Sequence, residues 1–215
     1  MSTIAIVGTA STLNLAIAQV FGDKGFNVAL VSPSQAKPDD LADRLNADGI
    51  PAGGFTADIL DRPAVETAFA AINKRFGEIE VLEFSPASGA GDPGNADALH
   101  LTMESLRPRL AFFVGGAISV VNQVLPSMLA RDSGTMIFTT GMSSVRPPAM
   151  PADVGIAGAA LRNWAHSLNV ALADTNVHSA HVAIGVGTAD ADVSSIAPLY
   201  WDIYTQRDQV ELLFT

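Results

Sequence analysis

The residues able to do chemistry in this chain gather at turns that follow apolar runs. Thr3 to Ala18 reads TIAIVGTASTLNLAIA. A β-branched apolar run (Ile4, Ile6, Val7) stops at Gly8, and small residues Thr9 to Thr12 follow. Leu13, Ala16, Ile17, Val20 and Phe21 then recur at helical spacing. Strand, tight turn and helix N-terminus in that order bring free backbone N–H groups and a positive dipole end to one spot, as at the phosphate-cradling start of a dinucleotide-binding βαβ unit. Gly8 is the one glycine of that fingerprint here. Thr12 and Asn14 stand where the other two belong, so Ser11, Thr12 and Asn14 either hydrogen-bond a phosphate or cap the helix themselves.

A second concentration is Thr139, Thr140 and the loop GMSSVRPPAMPAD. Ser143 or Ser144 could orient a carbonyl there, and Arg146 could polarise one or bind a carboxylate. The competing reading is that the hydroxyls satisfy turn backbone groups and that Arg146 is a solvated charge. Tyr200, Trp201 and Tyr204, with Leu199 and Ile203, form an aromatic stripe that reads as core, with Tyr200 or Tyr204 the alternative source of a reactive phenol. His166 reads as a packed or interface residue, and His100 stands alone. His178 and His181 share a strand, but no Ser/His/Asp arrangement can be placed. No metal-ligand spacing is present, so no metal site is expected.

Composition narrows the partners. With 215 residues, 48% of them hydrophobic and 16% charged, the chain suits a single α/β domain spanning 1–215. A net charge of −10 repels phosphate backbones, so no nucleic acid is expected. The absence of cysteine excludes disulfides and thiolate chemistry. The first strand starts too close to Met1 for a signal peptide, and no apolar run approaches the ~18 residues of a membrane span. The expectation is a cytoplasmic protein with no membrane partner.

The elements that would position these residues alternate. Strands are expected at Asn27 to Val31, Ile50 to Ala57, Glu80 to Phe84, Thr135 to Thr140, Val177 to Ile184 and Val210 to Phe214. Between them fall helices at about Pro38 to Ala47, Arg62 to Phe76 (capped by Asp61), Met103 to Ala130, Val154 to Thr175 and Val193 to Gln206. The loop Ser85-Pro-Ala-Ser-Gly-Ala-Gly-Asp-Pro-Gly94 is either the lining of a ligand crevice or a surface connection. Unbroken β/α alternation predicts one Rossmann-type doubly wound parallel sheet of about seven strands with helices on both faces.

In the order of these landmarks the chain resembles the short-chain dehydrogenase/reductase family. IVGTASTLNLAIA at Ile6 to Ala18 is similar to that family's TGxxxGxG turn, and FTADILD at Phe55 to Asp61 to its adenine-contacting segment. LPSML at Leu125 to Leu129, followed by Gly134 to Thr140, resembles its central helix and fifth strand. VGIAGAALRN at Val154 to Asn163 and IGVGT at Ile184 to Thr188 resemble its YxxxK helix and PGxxxT turn. The resemblance implies NAD or NADP, with no preference legible because Ser32 and Pro33 end the second strand without a charge. It also implies hydride transfer to or from a small carbonyl or alcohol compound. It assigns adenine contact to Asp58 beside Ile59, and cofactor contacts to Gly8, Ser11, Thr12, Asn14, Ser32, Ser85, Gly185 and Thr188. The proton-handling set is replaced: its tyrosine falls on Val154, its lysine on Gly158, its serine on or near Gly141 and its asparagine near Phe113.

Three readings follow. One is a divergent oxidoreductase using substitute residues among Ser143, Ser144, Arg146 and Tyr200. The second is a non-catalytic nucleotide- or ligand-binding relative acting as sensor or regulator. The third is a structural subunit of a homo-dimer or homo-tetramer built through the 103–130 and 154–175 helices.

Overall fold

A computed structural model describes residues 1–8, 12–86, 96–149, 151–185 and 193–214. Seven strands form one all-parallel sheet in the order β3-β2-β1-β4-β5-β6-β7. They are β1 (Thr3–Val7), β2 (Asn27–Ser32), β3 (Ala52–Thr56), β4 (Ile79–Phe84), β5 (Gly134–Gly141), β6 (Val177–Ile184) and β7 (Glu211–Phe214). Their connections include helices α1 (Thr12–Asp23), α2 (Ala36–Ala47), α3 (Arg62–Phe76), α4 (Met103–Leu110), α5 (Gly116–Arg131), α6 (Ala152–Ala171) and α7 (Val193–Gln206). Every residue of β1, β2 and β6 is buried, as expected for strands covered on both faces.

Alternation divides the side chains between two cores. Ile4, Ile6, Val28, Leu30, Val81, Ile137 and Val182 face α1, α2 and α7. Ala5, Val7, Leu82, Phe84, Met136 and Phe138 face α3, α5 and α6. Local chemistry fixes the helix ends. The Asp61 carboxylate accepts from Ala64 N at 3.2 Å to start α3, Pro63 occupies its first turn, and Gly77 at φ +81° follows its last residue. Thr102 and Ser105 exchange side-chain-to-backbone hydrogen bonds at the start of α4.

The long helix expected from Met103 to Ala130 is a rod interrupted by a wide π-type turn at Ala111–Gly115, just after Pro108, which has no N–H to give to the preceding turn. This rod, Met103–Arg131, is long and apolar enough to cross a membrane by length and composition, with a mean hydropathy of 1.5 over its richest window. No uninterrupted apolar run of that length stands in the sequence, because Ser119, Asn122, Gln123 and Ser127 break the string of apolar letters, although no charged residue falls between 110 and 130. In the fold the inner face of the rod (Phe113, Ala117, Val120, Val121, Val124, Met128) packs on the sheet. The helix expected at Val154 to Thr175 starts two residues earlier and ends at Ala171.

Strand order reverses between β1 and β4, so the crevice of an open parallel sheet lies beyond the C-terminal ends of those strands.

Candidate functional site

At that reversal Gly8 adopts φ +110°, and a Cβ there would lie 2.6 Å from the backbone of Ser85 and Pro86. Only glycine lets the exit of β4 come so close to the turn after β1. Gly8 N donates to Val31 O at 3.0 Å and Ser85 N to Val7 O at 2.9 Å, tying the ends of β2, β1 and β4 together. Thr12 begins α1 and is exposed. Ser11 and Thr188 lie outside the described residues, as does the loop from 87 to 94.

Asn14 does not face outward. It is 1% exposed, and its Nδ2 donates to Ser85 Oγ at 2.7 Å and toward Glu83 Oε2 at 3.4 Å. The side chain expected to meet a phosphate or cap α1 ties that helix to β4, because a buried carboxylate and hydroxyl lie within its reach. Ser32 closes β2 in a buried position, and Asp58 is exposed, accepting from Leu60 N at 2.9 Å. Ile59 is buried against Gly116, where a Cβ would approach it to 2.7 Å. Ile59 also lines a cavity of about 350 Å³ with Arg62, Gly115, Ile118 and Ser119. Gly185 N donates to Phe214 O at 2.8 Å, continuing the β6–β7 ladder. Gly8, Thr12, Ser32, Asp58, Ser85 and Gly185 therefore all border the C-terminal edge of the sheet.

Beneath this edge, on the α1/α7 side, lies a polar network that the sequence reading missed. Glu83 on β4 is fully buried, and its carboxyl receives Ser85 Oγ at 2.8 Å and Thr139 Oγ1 at 2.8 Å. Burial pushes it up to about 7, against the pull of its Ser85, Thr139 and Asn14 hydrogen bonds. The visible signal is the second of two acidic residues in the run IEVLEF, Glu83, which stands in phase with Val81, whereas Glu80 is in the opposite phase near the strand's start. Tyr200 OH pairs with Thr139 Oγ1 at 2.8 Å. The tyrosine is 0% exposed, and burial followed by the Glu83 charge raises its phenol well above the usual range. Tyr200 is thus a core residue of this network and not a phenol at the crevice: the inner face of α7 carries it into the apolar layer with Ile196 and Ile203.

On the α6 side a second network crosses three strands. His181 on β6 is 0% exposed; its Nδ1 lies 2.9 Å from Glu211 Oε1 and its Nε2 2.8 Å from Thr140 Oγ1. Thr140 Oγ1 lies 2.8 Å from Ser144 Oγ, which also reaches Gly141 O at 2.9 Å. Arg162 on α6 grips both Glu211 oxygens at 2.5 and 2.8 Å, and His166 Nε2 lies 3.3 Å from Oε1. The Arg162 hydrogen bonds hold the Glu211 carboxyl down at about 2, and burial lowers His181 to about 4. No Ser/His/acid arrangement could be placed from the sequence because Glu211 follows His181 by 30 residues. Parallel pairing sets His181 directly opposite Glu211. The carboxylate of Glu211 and ring nitrogens of His166 and His181 lie within 4.8 Å of one another, a grouping the sequence gave no spacing for. The Arg162 cation already occupies both carboxylate oxygens, an arrangement suited to a proton rather than to a metal ion.

Ser144 borders a cavity of about 430 Å³ lined by Ala98, Ser143, Val145, Pro147, Pro148, Ala152, Gly155, Ile156 and Ala159. Arg146 is exposed beside it. A Cβ on Gly158 would lie 3.2 Å from Ser144 Cβ, and one on Gly155 would lie 3.1 Å from Ser143 O, so the turn Met142–Ser144 rests on the glycine face of α6. Gly141 is exposed, and a Cβ there would lie 3.7 Å from Ser143 Oγ. Val154 packs on the α6-side core, and Phe113 is buried in the wide turn of the long rod.

The family model described as short chain dehydrogenase matches residues 2–196. An uncharacterised oxidoreductase of Staphylococcus epidermidis is 24% identical over 181 residues, which span 84% of this chain and 76% of that protein. The D-threitol dehydrogenase of Mycolicibacterium smegmatis is 28% identical over 132 residues, 61% of this chain and 49% of that one. In fold, the chain is similar to a short-chain dehydrogenase from Rhodopseudomonas palustris, with a TM-score of 0.86 at 22% identity over 100% of this chain and 98% of that one. It is also similar to the L-sorbose reductase of Gluconobacter frateurii, complexed with NADPH and L-sorbose, with a TM-score of 0.85 at 17% identity over 100% and 94% of the two chains.

Proposed function

Because the chain belongs to the short-chain dehydrogenase family, we propose that it binds NAD or NADP and moves hydride between the nicotinamide and a small carbonyl or alcohol compound, using proton-handling residues other than the family's tyrosine and lysine. The observation that carries this reading is the first βα turn. Gly8 in its left-handed conformation leads to the N-terminus of α1 at the strand-order reversal, where backbone N–H groups and the helix dipole suit a pyrophosphate. Ser11 and Thr12 would hold the phosphates, Ser32 the adenosine ribose, and Asp58 with Ile59 the adenine. Ser85, Gly185 and Thr188 would border the nicotinamide. That ring, when bound, supplies or accepts hydride at carbon. Relatives solved with NADPH, NAD+ and NADP support the cofactor class, and the uncharged end of β2 favours neither form.

Two observations favour variants of this reading. Val154 and Gly158 carry no proton donor, and Gly158 is covered by Ser144, which supports a non-catalytic ligand-binding relative as the alternative. Ile118, Leu129, Ile156 and Val170 are exposed along α5 and α6, which supports a homo-dimer or homo-tetramer formed through those helices, with a cytoplasmic location as its natural setting.

Calorimetric titration with NADH and NADPH tests the reading. Micromolar binding of either is the expected result. Absence of binding at millimolar cofactor would overturn both the oxidoreductase and the nucleotide-binding readings and leave the structural one.

A further inference from the structure

The network on the α6 side has a direction, and its chemistry fixes it. Glu211, gripped by the Arg162 guanidinium, is an ionised acceptor, so His181 Nδ1 donates to it. His181 is buried, and the charged or titratable groups facing it are Glu211, Arg162 and His166. Burial keeps the ring neutral to about 4. A neutral imidazole that spends its one proton at Nδ1 presents a lone pair at Nε2. Thr140 Oγ1, 2.8 Å away, must therefore donate to His181. The one hydroxyl proton of Ser144 then has two acceptors, Gly141 O at 2.9 Å and the oxygen of Thr140 at 2.8 Å, and a rotation about its C–O bond turns it from the first to the second. With the Ser144 hydroxyl turned to Thr140, every proton in the row can move toward His181, and the row ends on a cavity wall.

We propose that Ser144 is the acid–base hydroxyl that meets substrate in this protein, with Thr140 and His181 relaying its proton and Glu211 steadying the ring. The proposal rests on the oxidoreductase reading and deepens it by naming the groups that replace the family's tyrosine and lysine. Val145, Pro147, Pro148, Ile156 and Ala159 line the cavity of about 430 Å³, so the substrate class is an alcohol or ketone with an apolar body. Gly158 belongs to the same device: a larger residue there would press on Ser144 Cβ, 3.2 Å from the place of a Cβ.

In the oxidising direction the substrate O–H bond breaks and its proton bonds to Ser144 Oγ. The proton of Ser144 passes to Thr140 Oγ1, and that of Thr140 to His181 Nε2. The C–H electron pair would leave as hydride to an oxidised nicotinamide held at the first βα turn, the group that would supply the two-electron acceptor. A carbonyl compound and an imidazolium remain, the latter balanced by Glu211. Reduction runs the same steps backward. Ser144 is the group that touches substrate; Thr140 and His181 act through it.

The test separates the relay from the redox reading. Phenylmethylsulfonyl fluoride reports a base-backed serine directly: Ser144 Oγ bonds to sulfur, the S–F bond breaks, fluoride leaves and the hydroxyl proton enters the relay. Peptide mass spectrometry is expected to find Ser144 labelled well above exposed serines such as Ser34. Thr140→Val, which removes one hydroxyl at nearly constant shape, should cut that labelling at least tenfold, and Thr140→Ser should restore it. Labelling of Ser144 at the rate of Ser34, or unchanged in Thr140→Val, overturns the relay. Secondary alcohols with NAD+ and NADP+ are assayed alongside. Turnover without selective labelling keeps the redox reading and overturns the relay, whereas selective labelling without turnover keeps the relay and overturns the redox reading.

Discussion

Glu83 shows how much one residue can differ from its neighbours in a strand. It occupies a site fit for valine or isoleucine, yet carries a carboxyl whose burial raises it from 4.5 to about 7. Because the folded value lies above the unfolded one, the native state holds more protons than the unfolded chain between those two limits. Stability contributed by the protonated form is complete below 4.5 and is lost as pH rises toward 7. The shift corresponds to roughly 3 kcal/mol across the window. Urea unfolding of the two proteins side by side should therefore show Glu83→Gln gaining stability relative to the native protein as pH rises from 4.5 toward 7, because the His181 contribution is common to both and cancels in the difference. An equal slope in both proteins would place the titrating group elsewhere. His181 and Glu211 act on the acid side: both are held below their ordinary values, so the stability they confer is lost as pH falls, through the range from 6.5 to about 4 for His181 and from 4.5 to about 2 for Glu211.

Between elements, a few contacts hold the edge of the sheet in register. Arg109 on α4 meets Asp153 in the first turn of α6 at 3.0 Å, with side chains only 4% and 1% exposed, and Asp153 also receives Ala96 N at 3.2 Å. This buried pair fixes the N-terminal end of the helix that supports Ser144. Arg109→Leu strands a carboxylate in the interior and should cost about 3–5 kcal/mol, whereas Arg109→Leu with Asp153→Leu should recover most of it. A double-mutant cycle by chemical denaturation measures the difference. Gly8 is the other fixed point. Gly8→Ala combines a left-handed backbone with a methyl group 2.6 Å from the Ser85–Pro86 backbone, so a loss of about 2 kcal/mol or more is expected from the same measurement.

At the scale of the whole molecule, α5 and α6 lie on the same face of the sheet and expose Ile118, Leu129, Ile156 and Val170, the last 76% exposed. Sedimentation velocity is expected to give a dimer or tetramer, and Val170→Asp should shift it toward monomer; a monomeric wild-type chain would count against the shared-helix proposal. The β/α alternation, the parallel sheet, the Asp61 cap and the bounds of β6 and α7 were all legible in the sequence, because periodicity, caps and breakers act over a few residues. So was the short-chain dehydrogenase framework, since its landmarks keep their order along the chain. The sequence located the Ser143–Ser144 turn but not what stands behind it. Thr140, His181 and Glu211 become neighbours only when β5, β6 and β7 pair in register, and Asn14, Glu83 and Tyr200 meet only when α1 and α7 cover the same face of the sheet. Hydrogen bonds depend on distance in space. Strand order and side-chain phase decide that distance, and no local pattern encodes them.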